Sequence, residues 1–116
     1  DADVYGGIEP IAAEAGIAVE KIMYQPPLYI PADDPMIQIL MDVYRKNTGD
    51  FESEPLVIGG GTYAREMKNA VGFGALFPGD DDLMHQKDEC VSIERLMTTA
   101  CIYADAIYRL AIEPEI

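Results

Sequence analysis

At 116 residues the chain holds one domain at most, expected to bury about two-thirds of the surface its unfolded form exposes. With 49% hydrophobic residues it reads as a globular chain rather than a disordered one. Acidic side chains outnumber basic ones 21 to 8, a formal net charge of −13 that repels phosphate backbones and anionic membranes and so argues against both as partners.

From the N-terminus, Ile8, Ile11, Ala12 and Ala15 recur at helical spacing, and Gly16 is placed to stop that helix. Ile17–Tyr24 then alternates, with β-branched content, and reads as a strand. Between Gln25 and Pro31, three prolines remove donors and fix φ, so the segment is expected to run extended without a ladder, as a crossing between two units. Asp34-Pro35 starts the next helix, an Asp N-cap followed by Pro at the first helical position. Its apolar stripe is Met36, Ile37, Leu40, Met41 and Tyr44, Arg45 and Lys46 suit its C-terminal dipole, and Gly49 can close it.

Leu56-Val57-Ile58 and Ala70–Phe77 read as short strands, apolar on both faces, joined by a glycine turn and a short helix. Ser92 caps the last helix. Along it Ile93, Leu96, Met97, Ala100, Cys101, Ala104, Ile107, Tyr108 and Ala111 keep a 3.6 period, with Pro114 just beyond. Helix, strand, short helix, strand and helix is an α/β order. Two strands cannot bury both helices, so the rest of the sheet is expected from a second copy or from sequence missing from this chain.

Cys90 and Cys101 are too few for a disulfide framework or a cysteine zinc site, and they point to a reducing, cytoplasmic setting. Cys101, on the apolar stripe, reads as a small core residue rather than a reactive thiol. There is no signal-peptide pattern and no apolar run of transmembrane length. The sequence opens at Asp1 rather than Met, from which an upstream part is expected.

Candidate chemistry concentrates in Leu56–His85. Gly59-Gly60-Gly61-Thr62, between a strand and a short helix, can turn several backbone N–H groups toward an anion. It is not a nucleotide P-loop, because no Lys-Ser/Thr pair follows, nor the spaced-glycine dinucleotide fingerprint. Arg65, three residues after Thr62, adds a forked donor. Two readings stand: a carboxylate or oxyanion site, or a tight turn that needs positive φ beside an ordinary surface ion pair. His85 is the only histidine and follows Asp80-Asp81-Asp82. On the residues alone it is either a hydrogen-bonded structural residue or a cation ligand, and one imidazole cannot hold zinc. The three aspartates are further ligands or a solvated turn. Glu89 either orients His85 or its loop, or is an exposed acid at a helix start. No Ser–His–Asp or Cys–His nucleophile is visible.

Several of these segments, in this order, carry a resemblance. Ile58–Arg65, Asn69, Phe73–Gly79, and Met84-His85-Gln86 with Glu89 resemble the C-terminal part of PepV-type dipeptidases. These belong to the co-catalytic di-zinc peptidase family, with carnosinases, aminoacylase and succinyl-diaminopimelate desuccinylase. Tyr29–Pro35 and Ile102–Tyr108 are similar too, so the likeness runs over residues 24–111.

The resemblance implies an α/β catalytic domain interrupted by a smaller α+β lid domain. Residues 1–30 would be the end of the lid and the crossing segment, and 31–116 the C-terminal segment of the catalytic domain. It also implies two zinc ions held by an early His, a bridging Asp, a Glu, another Asp and a late His. His85 matches the late His, and Gly60, Gly61 and Thr62, with Arg65 beside them, match the segment that meets the substrate's C-terminal end. The general base and the other ligands would lie upstream. The expectation is a cytoplasmic fragment of a zinc-dependent metallopeptidase that hydrolyses dipeptides with a free amino terminus, inactive alone and prone to self-association. The alternative is a free-standing acidic α/β module that binds an anionic ligand or partner through Gly59–Arg65.

Overall fold

Local capping chemistry sets the helix ends. The computed structural model describes residues 4–74 and 76–112. Its regular elements are α1 (Val4–Glu14), α2 (Pro35–Thr48), a single 3₁₀ turn (Tyr63–Glu66) and α3 (Ile93–Ala111). α1 closes at Gly16, whose φ of 71° lets its N–H reach the Ala13 carbonyl at 3.0 Å and the Ile17 N–H reach Ala12 at 2.8 Å. That paired closure satisfies carbonyls a helix end otherwise leaves open. The Asp34 carboxylate accepts from the Met36 N–H at 2.9 Å, with Pro35 at the first helical position, and Gly49 (φ 74°) ends α2. Ser92 accepts from the Arg95 N–H at 3.1 Å at the start of α3. Pro114 lies outside the described residues.

The expected α/β arrangement is not what the chain adopts: among the described residues the regular elements are all helical and no strand forms. Ile17–Tyr24, Leu56–Ile58 and the described part of Ala70–Phe77 have no ladder. A strand exists through hydrogen bonds to a neighbour, and among the described residues none of these runs forms a ladder, although Thr62, itself extended, lies against Gly72. Leu56 and Val57 are 87% and 89% exposed, so a run expected to be buried on both faces faces solvent.

The core is small and lies between α2 and α3. Leu40 and Val43 of α2 meet Ile102 and Ala106 of α3, with Phe77 closing the cluster. Val43 is fully buried, although it stands outside the stripe expected for α2. Val71 and Phe73 pack against the same cluster, and the Tyr103 hydroxyl donates to the Phe73 carbonyl at 2.6 Å. At the far end of α2, Lys46 and Asn47 donate to the Asp105 carboxylate at 2.9 and 3.1 Å.

On α3 the buried face is Thr99, Ile102 and Ala106, not the expected stripe. Ile93, Met97 and Ile107 are 60–80% exposed, and Cys101 is exposed rather than a core residue. The helix is apolar on more than one face, and only one face has α2 to pack on. The accessible surface of 9550 Å² exceeds the roughly 6200 Å² expected of a compact protein of 12.7 kDa. It corresponds to burying about half of the extended-chain surface, not two-thirds. The radius of gyration, 18.9 Å, also exceeds the about 13 Å of a compact chain this long. Among the described residues no helix is long and apolar enough to cross a membrane.

Candidate functional site

The glycine turn leads straight into the 3₁₀ turn. Thr62 is its N-cap, with Oγ1 accepting from the Ala64 N–H at 3.2 Å and its carbonyl accepting from the Arg65 N–H at 3.1 Å. Two of the N–H groups a bound anion would use are therefore already engaged. Gly59, Gly60 and Gly61 are exposed and none has positive φ, so a left-handed turn is not the reason for the three glycines. Gly61 has a different reason. A Cβ there would sit 3.0 Å from Arg65 Nη1, because the guanidinium lies over that glycine.

Arg65 is half-buried and donates from Nη1 to the side-chain oxygen of Gln25 at 3.2 Å. The same Gln25 amide donates from Nε2 to Glu66 Oε1 at 3.3 Å. Sequence reasoning placed Gln25 only at the head of the proline crossing. A contact across 40 residues follows no spacing rule, so the sequence carried no signal for it.

His85 stands exposed on the loop before α3, with φ of 61°. Its backbone N–H donates to Glu89 Oε2 at 3.3 Å, so Glu89 holds the loop backbone rather than the imidazole. Gln86 adds a bond from Nε2 to the Asp82 carbonyl at 2.8 Å, and Asp82 Oδ1 accepts from the Met84 N–H at 3.2 Å.

The acidic run is not three equivalent carboxylates. Asp80 pairs with Arg95, Asp82 turns the loop, and Asp81 is exposed. Among the described residues no three His, Cys, Asp or Glu side chains gather to hold a metal ion. By themselves, then, the described residues do not fit the zinc pair that the resemblance implies. A cleft of about 500 Å³, lined by Tyr29, Pro31, Asp34, Met36, Asn69 and Leu110 among others, includes neither the glycine turn nor His85.

Asp50, outside every expected site, accepts four hydrogen bonds. Ser53 Oγ and Tyr44 Oη donate to Oδ2 at 2.6 and 2.7 Å, and the Glu52 and Ser53 N–H groups donate to Oδ1 at 3.0 and 3.1 Å. The Ser53 hydroxyl first, then Tyr44, hold the Asp50 carboxyl well below the usual carboxylate range. Burial first, then Asp50, push the Tyr44 hydroxyl up. This knot braces the loop after α2 and is structural in its placement.

The family model described as peptidase family M20/M25/M40 matches residues 4–109. Proteins named "putative dipeptidase" in Staphylococcus saprophyticus, Staphylococcus epidermidis and Staphylococcus aureus strain USA300 are 44%, 44% and 45% identical to the chain over 98, 100 and 98 residues. Those alignments cover 84%, 86% and 84% of this chain but only 21% of each relative. The chain thus spans about a fifth of the length of the curated relatives it matches. No solved structure matches it.

Proposed function

Because the chain belongs to peptidase family M20/M25/M40, we propose that it is a segment, C-terminal in position, of a zinc-dependent dipeptidase acting on dipeptides with a free amino terminus. On this reading His85 is one metal ligand, and Gly60, Gly61, Thr62 and Arg65 meet the carboxylate end of the substrate. Glu89 keeps the His85 loop in shape through the His85 N–H.

The supporting observation is the family match over residues 4–109, which takes in an exposed His85, while among the described residues no three His, Cys, Asp or Glu side chains gather to hold a metal ion. Zinc takes three or four protein ligands, so the remainder belongs to other parts of the enzyme. No catalytic step is assigned to this chain's own side chains. The segment alone is inactive, and its expected setting is the cytoplasm.

Calorimetric titration of the 116-residue chain with zinc tests the reading. Binding weaker than micromolar is expected, because water must fill most of the coordination shell. Stoichiometric submicromolar binding by a monomer, lost in His85→Ala, would mean the chain carries a complete site and is no segment of one.

A further inference from the structure

Two observations converge on Arg65. The guanidinium occupies the space that a side chain at position 61 would take, with Nη1 3.0 Å from the place of that Cβ. It is also reached from across the chain by Gln25, which stands between opposite charges. The amide oxygen accepts from Arg65 at 3.2 Å, and the amide nitrogen donates to Glu66 at 3.3 Å. A neutral amide suits this place. It fixes a cation's orientation without neutralising it, and it separates Arg65 from the neighbouring Glu66 carboxylate.

We propose that Gln25 is a positioning residue that holds the Arg65 guanidinium over Gly61, leaving its free N–H groups to pair with a ligand carboxylate. The inference rests on the reading of Gly60–Arg65 as a carboxylate-binding turn and adds what makes that turn competent. Pro26 and Pro27 follow Gln25 directly. They restrict the backbone that carries it, so the amide reaches Arg65 from a stiff segment rather than a loose one. The same contact ties the crossing segment to the glycine turn, so any displacement of residues near 25 releases Arg65.

Side-chain nitrogen NMR on the full chain tests this, with the Arg65 Nε–H resonance as reporter and N-acetylglycine as the carboxylate probe. In Gln25→Met, which keeps length but loses both hydrogen bonds, the free-protein resonance should collapse toward the position of a mobile arginine. Its affinity for the probe should fall about fivefold, the effect of losing one orienting hydrogen bond. Gln25→Glu should keep the resonance ordered yet bind the probe no better than Gln25→Met, because a carboxylate at 25 occupies the guanidinium itself. Gly61→Ala should displace the resonance without touching Gln25.

A resonance unchanged in both Gln25→Met and Gly61→Ala would overturn the positioning role. So would a Gln25→Glu chain that binds the probe as wild type does. A resonance that responds to Gln25→Met, in a wild-type chain whose Arg65 no concentration of probe shifts, would keep the contact and overturn the carboxylate-site reading instead.

Discussion

Arg95 grips Asp80 through two of its nitrogens, Nε at 3.1 Å and Nη2 at 2.9 Å, while its guanidinium lies 4.7 Å above the Phe77 ring. One side chain thereby anchors the start of the acidic loop to α3 and covers the edge of the core. The pair is partly exposed, so its ionic part is modest.

Asp80→Asn should therefore cost about 1 kcal/mol, as an orienting ion pair and a cation–π contact are weakened together. Asp81→Asn, one residue on, should stay within about 0.5 kcal/mol, because an exposed turn carboxylate has little to lose. Urea midpoints of the two variants separate the cases. Equal effects would show that the acidic run acts as a diffuse charge and not through Asp80.

The helix pair invites a second comparison. Val43→Ala removes two methyl groups at a fully buried position and should cost about 2 kcal/mol. Met97→Ala removes more atoms from a site that is 60% exposed and should cost under about 0.5 kcal/mol. Thermal unfolding followed by circular dichroism reads both. A larger loss at Met97 would place the core on the other face of α3.

That contrast shows what the sequence can and cannot disclose. Helix ends were legible, because Asp34, Gly49 and Ser92 act within a few residues of themselves. The face of α3 was not, because Ile93, Met97 and Ile107 keep as good a period as Ile102 and Ala106. Periodicity reports that a face is apolar, not what it meets. Leu56-Val57-Ile58 misled for the same reason: β-branched residues favour a strand only where a ladder is offered. At the candidate site, Gly61 and Arg65 are four apart and their contact is local, whereas Gln25 arrives from forty residues away. No pattern in the chain announces that distance.

Acid should expose the Asp50 knot. The fold lowers this carboxyl's pKa, so its contribution is complete above the unfolded value near 4 and is lost as pH falls below that, toward the folded value. Asp50→Asn should therefore be less stable than wild type at about pH 7, and the gap should narrow as pH is lowered from about 4 to about 2.5. Asp105, lowered in the same direction by Lys46 first and Asn47 second, adds to the acid sensitivity of wild type, so the comparison is made between the two proteins at each pH. A gap that stays constant across that range would remove Asp50 from the account.

The surface itself carries the last prediction. Ile22, Leu56, Val57, Tyr63 and Ile93 are each at least 80% exposed, on a chain whose surface is about half again that of a compact protein its size. Isolated exposed apolar residues are ordinary, but an excess on this scale marks surface that association can cover. A formal net charge of −13 opposes it, because copies repel one another. The two effects differ in their response to salt. Screening shortens the repulsion to about 10 Å at 0.1 M and about 3 Å at 1 M, while apolar burial is left intact or strengthened. Sedimentation equilibrium should thus give an apparent mass that rises with protein concentration and rises further with salt. A monomer of 12.7 kDa at every concentration, in both low and high salt, would mean that the exposed apolar side chains are dispersed too thinly to bring two copies together.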